Sequence, residues 1–156
     1  MIRIPAELLG EIHRHSERDY PHECCGALLG RVYPGAPEAD ADGTETREVA
    51  ALHAAANRRE TAAAPRRFLI TADDYRVIER EARARNLDVI GFYHSHPDHP
   101  ARPSEYDREH ALPWYSYVIV SVSAGRAGET ASWILGDDRG GFGLERVISG
   151  ETTQRR

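Results

Sequence analysis

A short stretch of the chain, GFYHSHPDHPARPSEYD at residues 91–107, combines a strand end, a proline-rich connection and a helix start. The residues just before it, 87–93, are rich in β-branched and aromatic side chains, which predicts a buried strand. Pro97 has no N–H to donate, and the three prolines within 97–103 predict an irregular loop. Ser104 is then expected to cap a short helix, with Asp107 in its first turn. The chain must therefore connect a buried strand, through a stiff loop, to a helix start.

Two histidines and one carboxylate lie at the ends of this stretch. Side chains two residues apart on a strand share a face, so His94 and His96 are expected to point at one ion. Asp107 reaches the same ion if the helix packs back on the strand. This set of three ligands suits Zn²⁺ and leaves a fourth position for water, which is typical of hydrolytic zinc sites. The spacing leaves two alternatives open: ordinary packed or surface histidines, and a capping box formed by Ser104 and Asp107 alone.

The pattern of His94, Ser95 and His96, then seven residues, Ser104, two residues and Asp107 resembles the JAMM motif of the MPN+ family of zinc isopeptidases and peptidases. The resemblance covers residues 2–147, nearly the whole chain. It implies that His94, His96 and Asp107 bind one zinc ion and that Ser104 helps to hold the oxyanion. Loss of a hydrogen-bond donor to a developing oxyanion typically lowers kcat by about 10²–10³-fold.

The family also has a glutamate near the start of an early strand. Glu23, in the segment PHECCGALLG at residues 21–30, stands in the matching context, and the resemblance implies that it is the general base. By itself, Glu23 also fits a solvated glutamate that precedes a strand. Asn57 and residues 67–70 look like further family positions.

The order of predicted helices and strands indicates an α+β fold, in which helices flank a mostly antiparallel or mixed sheet. The MPN+ resemblance implies the same fold with a curved sheet, in an MPN/JAB-like, cytidine-deaminase-like architecture. Helices are predicted at 5–18, at 71–85 and from 104 onward. Strands are predicted at 23–32, 46–53, 68–70, 88–96, 115–123, 130–135 and 142–147, and irregular segments at 33–44 and 54–65.

The length of 156 residues predicts one domain, at 1–148, followed by a flexible tail at 149–156. A hydrophobic fraction of 40% is enough for a core, and neither a membrane span nor a signal peptide is evident, so a cytoplasmic protein that acts away from membranes is expected. The net charge of −5, without a basic stripe, argues against nucleic acid as a partner. The oligomeric state stays open.

The remaining histidines and the two cysteines have less specific interpretations. Cys24 and Cys25 are expected to be reduced, and Cys25 either shares a face with Glu23 near the zinc or is a small core residue. Six histidines are expected on the surface, with a substrate contact as an alternative for one of them, His99. These six are His13, His15, His22, His53, His99 and His110.

The compact chain leaves little room for the insertions of eukaryotic relatives that cut polyubiquitin, so the resemblance favours bacterial members that process ubiquitin-like sulfur carriers. It implies cleavage after the C-terminal glycine of a small carrier with a Gly-Gly tail, with cysteine as one possible leaving group. A non-catalytic MPN scaffold, a deubiquitinase-like isopeptidase and another zinc hydrolase, such as a nuclease, are the alternatives. The scaffold is disfavoured because scaffolds of this family commonly lack metal ligands, and the nuclease because the chain has no basic surface bias.

Overall fold

The computed structural model describes residues 1–34, 45–55 and 70–150. In chain order, its elements are β1 (Ile2–Arg3), α1 (Ala6–Asp19), β2 (Cys25–Tyr33), β3 (Thr46–Ala55), α2 (Ala72–Ala84), β4 (Asp88–Pro97), α3 (Glu105–His110), β5 (Ser116–Ser123), β6 (Arg126–Leu135), β7 (Phe142–Glu145) and β8 (Val147–Ile148). The predicted strand at 142–147 is thus two strands, and β1 was not predicted. Predictions for Asn57, for the tail beyond 150 and for most of 33–44, 54–65 and 67–70 lie outside the described residues.

One mixed sheet contains all eight strands of the described chain, in the order β7-β6-β5-β4-β2-β3-β1-β8. Neighbouring strands are antiparallel except for β4 with β5 and β1 with both β3 and β8, which are parallel pairs. The outermost strands, β7 and β8, are separated in the chain only by Arg146. The sheet must therefore curve until its two ends meet, and the expected α+β fold with a curved mixed sheet is confirmed.

The two longer helices cover different parts of the core. Helix α1 buries Ile12 in a cluster that includes Ile2 and Tyr93, whereas α2 buries Ile78 and Ala82 in a second cluster. The second cluster includes Phe92 of β4. Phe92 shares its strand face with His94 and His96, two and four positions later, so the side chains of both histidines lie on the α2 side of the sheet.

Strand β2 begins two residues later than predicted, at Cys25, so that Glu23 lies in the segment that leads into it. Strand β6 begins four residues earlier than predicted, because Ala124 and Gly125 both adopt positive φ and form a tight hairpin turn after β5. None of the helices among the described residues is long and apolar enough to span a membrane.

The surface prediction for His15 is wrong. Its side chain is buried in α1, where its Nδ1 lies 2.8 Å from the hydroxyl of Tyr93 and its Nε2 lies 3.3 Å from Asp19. Burial lowers the pKa of His15, and Asp19 only partly offsets this effect. His99 and His110 are exposed as predicted, whereas His13, His22 and His53 are half-buried.

Candidate metal centre

Strand β4 places two imidazoles side by side in the interior. His94 and His96 are 1% and 7% exposed, and their ring centres lie 4.9 Å apart. Both rings stand at the carboxyl end of β4, where the strand pairs with β2 on one side and with β5 on the other. The β2 register ends at His94 and the β5 register continues past His96, and the burial of both rings excludes the alternative of ordinary surface histidines.

Helix α3 supplies the third group through its first turn. The Ser104 hydroxyl accepts a hydrogen bond from the Asp107 backbone N–H at 3.1 Å, and the Ser104 N–H donates to Asp107 Oδ2 at 2.8 Å. The capping box that the sequence offers as an alternative is therefore present. It does not exclude a ligand role, because the box fixes the Asp107 carboxylate beside the two histidines.

The three groups form a small triangle, named here the donor triangle, whose corners are the two Nε2 atoms and the Asp107 carboxylate with both of its oxygens. The Nε2 atoms of His94 and His96 are 3.1 Å apart, Asp107 Oδ1 lies 3.3 Å from His94 Nε2, and Asp107 Oδ2 lies 3.1 Å from His96 Nε2. Ligands at the usual Zn–N and Zn–O distances in a tetrahedron are about 3.3 Å from one another. The edges of the triangle match this spacing, so these residues fit a zinc ion.

A backbone acceptor sets the tautomer of His96. Its Nδ1 lies 2.9 Å from the carbonyl oxygen of Pro100, which can only accept, so the Nδ1–H donates. A neutral His96 then carries its lone pair on Nε2, the atom that faces His94 and Asp107. Support of this kind orients most metal-binding histidines. Pro100 lies in the loop before α3, and its carbonyl was not foreseen because no side-chain pattern identifies it.

The charges of the triangle also suit a cation. Burial lowers the pKa of His94, and the hydrogen bond and charge of Asp107 only partly offset that effect. For His96, burial acts in the same direction, but bonds to Asp107 and Pro100 and the carboxylates of Asp107 and Glu23 raise its pKa overall. Burial disfavours an ionised Asp107, yet its bonds to the two histidines hold its pKa well below the usual range. An ionised Asp107 beside a neutral His94 is the protonation state in which these two groups bind metal, and a metal ion at His96 would displace the proton that its raised pKa favours.

Glu23 is half-buried and lies two residues before β2, whose first residue, Cys25, is directly opposite His94. Its carboxylate is close enough to raise the pKa of His96. The neighbouring Cys24 is held by Ser95, whose N–H donates to the Cys24 carbonyl at 3.2 Å and whose Oγ accepts from the Cys24 N–H at 2.9 Å. The residue between the two histidines thus fixes the segment that carries Glu23 beside them.

The two cysteines lie in the interior as free thiols. Cys25 is 1% exposed, and burial raises its pKa to about 12, with the nearby Cys24 and acidic groups adding to the effect. A thiol with this pKa is a poor metal ligand at neutral pH because the thiolate is the binding form. Among the described residues, the donor group consists of His94, His96 and Asp107 without a cysteine. The core interpretation of Cys25 is therefore the one that the structure supports.

A cavity of about 480 Å³ opens beside the triangle, between α2, β4 and α3, and was not predicted from the sequence. His94 and Asp107 form part of its wall, and aromatic and aliphatic side chains form much of the remainder. The sequence feature that could have indicated a cavity is the group of aromatic residues around Phe92 and Tyr117, but these residues fit a buried sheet face equally well.

Comparisons with known proteins agree with this geometry. The family model described as prokaryotic homologs of the JAB domain matches residues 5–136. A curated relative, a desampylase of Haloferax volcanii, is 34% identical over 116 residues, which cover 73% of each chain. The solved structure of a Salinibacter ruber protein is 43% identical, with a TM-score of 0.69 over 98% of this chain and 94% of that one. A structure described as a JAMM metalloprotease-like zinc site in the proteasome and signalosome shares the fold at 18% identity, with a TM-score of 0.53 over 97% of this chain and 99% of that one.

Proposed function

This chain belongs to the prokaryotic homologs of the JAB domain, and we propose that it is a zinc-dependent hydrolase that cleaves the bond after the C-terminal glycine of a small ubiquitin-like protein. The observation that carries the proposal is the donor triangle formed by His94, His96 and the Asp107 carboxylate, whose facing atoms lie 3.1–3.3 Å apart. A non-catalytic scaffold has no need for a buried, mutually supported set of this kind. We further propose that residues 1–148 act as one domain.

In this proposal, His94, His96 and Asp107 hold the zinc ion. When bound there, zinc acts as a Lewis acid and makes water a competent nucleophile near neutral pH. Glu23 takes a proton from the attacking water and delivers it to the leaving amine as the C–N bond breaks. The products are a carrier with a free carboxylate and the released amine, so the reaction consumes one water molecule.

Ser104 stabilises the oxyanion that develops on the carbonyl oxygen under attack. Its cap interaction with the Asp107 N–H uses a lone pair of the hydroxyl oxygen and does not use the hydroxyl proton. The O–H can therefore cap α3 and donate to the substrate at the same time.

The substrate class is supported by the relative, whose name, desampylase, implies a ubiquitin-like modifier as substrate. The finer proposal is a sulfur-carrier type of partner whose Gly-Gly tail lies extended in the groove at the zinc. Glycine is suited to this position because an extended backbone without side chains can pass close to the metal ligands. We also propose a cytoplasmic location, which is supported by two free cysteines that form no disulfide in the described chain.

The experiment that tests the proposal is a panel of ubiquitin-like carriers ending in Gly-Gly, each joined to a leaving group, incubated with zinc-loaded protein. We expect cleavage directly after the terminal glycine, loss of cleavage after chelation, and recovery when zinc is added back. Carriers whose last glycine is replaced by alanine or valine should be cleaved progressively more slowly. Polyubiquitin serves as the comparison substrate. Faster cleavage of polyubiquitin than of any carrier conjugate, or equal cleavage of glycine- and valine-ended carriers, would refute the assigned substrate.

A further inference from the structure

The cavity beside the donor triangle has predominantly apolar walls. Phe92 forms part of its floor on β4, two residues before His94 and on the same strand face. Side chains from α2, α3 and β5 complete the walls, and the cavity ends at His94 and Asp107. The larger apolar side chains of the walls are Ile70, Tyr75, Phe92, Tyr106, Leu112 and Tyr117.

Ring contacts hold the cavity in shape. Phe92 lies 5.8 Å from the ring of Tyr117 in a stacked arrangement and 6.3 Å from the ring of Tyr75. The Tyr117 hydroxyl accepts a hydrogen bond from the Leu112 N–H at 2.8 Å, which fixes the segment after α3. Aromatic walls that are fixed in this way form a site before a ligand arrives, and a preformed apolar pocket with a few polar groups at one end is typical of ligand sites.

We propose that this cavity is the subsite for a large apolar side chain on the amine side of the scissile bond. The inference rests on the proposed function. The residue before the cut is a glycine in that proposal, and a glycine has no side chain that needs a cavity of about 480 Å³. Because the cavity touches His94 and Asp107, its occupant is close to the reacting bond, and the residue that bears the departing amine is the nearest one with a side chain when the carrier ends in two glycines.

The chemistry of the walls limits the leaving group further. A cysteine side chain fills only a small part of this volume, and a lysine ε-amine brings an unbranched chain whose main-chain atoms lie several bonds away from the metal. An α-amine that carries leucine or phenylalanine places its side chain directly next to the scissile nitrogen. The substrate class is therefore a carrier joined by a peptide bond to a residue with a bulky apolar side chain.

Ala72, the first residue of α2, allows a test without damage to the core. It is exposed and lines the cavity, so Ala72→Trp fills the space from the rim. Ala84, at the last position of the same helix, is exposed and lies outside the cavity, so Ala84→Trp is the matched control. Thermal midpoints and zinc contents of both variants establish that the fold and the metal site are intact.

The assay measures kcat/KM for one Gly-Gly carrier joined to glycine, cysteine, leucine or phenylalanine, or to the side chain of lysine. We expect the leucine and phenylalanine conjugates to exceed the glycine conjugate by about 10- to 200-fold, the range that apolar pockets usually give. Ala72→Trp should remove most of this advantage, so that the ratio of leucine to glycine conjugate falls toward one, whereas Ala84→Trp should keep the wild-type ratio. Calorimetric titration with phenylalaninamide provides a second readout, and we expect binding to be at least ten-fold weaker in Ala72→Trp.

The outcomes separate the two proposals. If no conjugate is cleaved, the proposed function fails. If all leaving groups are cleaved equally, or if the lysine isopeptide is cleaved fastest, the function stands and the subsite assignment is overturned. The subsite assignment is also overturned if Ala72→Trp changes the effect of substitutions in the carrier just before its Gly-Gly tail and does not change the preference among leaving groups. In that case the cavity binds the carrier side.

Discussion

Ser104 has two proposed roles, and Ser104→Ala separates them because the structure shows what the change removes. The Ser104 hydroxyl is the acceptor for the Asp107 N–H at 3.1 Å, and this bond is lost. The Ser104 N–H, which donates to Asp107 Oδ2 at 2.8 Å, belongs to the backbone and is kept. The variant therefore loses the side-chain half of the capping box and the hydroxyl proton. It keeps the backbone hydrogen bond that orients the Asp107 carboxylate.

The magnitudes follow from this difference. Loss of an N-cap side chain costs about 1 kcal/mol of folding free energy, which corresponds to a fall of about 2–4 °C in thermal midpoint for a chain of this size. Zinc affinity should change less than ten-fold because the backbone bond still orients Asp107. The kcat should fall by about 10²–10³, as for a lost oxyanion donor, with little change in KM because the oxyanion exists mainly in the transition state.

Thermal denaturation, zinc content by elemental analysis and steady-state kinetics on the same preparation measure the three effects. Thr71→Ala gives an upper bound for the cost of a lost cap: α2 begins with the same kind of box, between Thr71 and Asp74, and carries no metal ligand, but the variant also loses the hydrogen bond from the Thr71 hydroxyl to Asp74 Oδ2 at 2.8 Å. If Ser104→Ala loses zinc and activity together, Ser104 acts by positioning Asp107. If its kcat stays within a few-fold of wild type, the oxyanion role is refuted.

Three further predictions concern the metal, the base and the buried histidine. His94→Ala should lower zinc stoichiometry sharply, because one corner of the donor triangle is removed; full occupancy by elemental analysis would contradict the ligand set. Glu23→Gln should bind zinc normally, and its kcat should fall by about 10²–10⁴-fold, as expected for the loss of a general base. Retention of most turnover would show that another group takes the proton from the attacking water. The lowered pKa of His15 means that the folded state binds its proton less readily than the unfolded state, whose pKa is about 6.5, so this residue costs stability as pH falls through that value. The difference in thermal midpoint between pH 7.5 and 5.5 should therefore be smaller in His15→Gln than in wild type. His99→Gln, an exposed control, should show the wild-type difference. Equal differences in the two variants would show that His15 does not titrate in this way.

Local patterns determined much of the candidate site. The two-residue period of a strand places His94 and His96 on one face, and the cap preference of serine starts α3 at Ser104 with Asp107 in its first turn. These properties depend on a few neighbouring residues and on the backbone geometry that they favour, so they are readable without the rest of the fold. The resemblance to the JAMM motif rests on the same residues and located Glu23.

Long-range pairing decided what the patterns left open. The burial of His15 depends on Tyr93, which lies 78 positions later in the chain. Arg47 is buried because its guanidinium donates to Ser116 Oγ at 3.0 Å, and Ser116 in turn donates to Glu145 at 2.7 Å. A sequence pattern does not contain these pairings, because each of them exists only after several strands have joined one sheet.

The sequence by itself determined which side chains are candidates for the chemistry, because ligand type and local spacing are properties of short segments. Only the tertiary structure decided that the capping box and the donor triangle use the same carboxylate, that of Asp107, and that an aromatic cavity opens beside it. The cavity exists because α2, β4 and α3, which follow one another in the chain, fold around Phe92 with side chains that do not fill the space between them. Its volume depends on how these elements pack against one another, and no local sequence pattern specifies that packing.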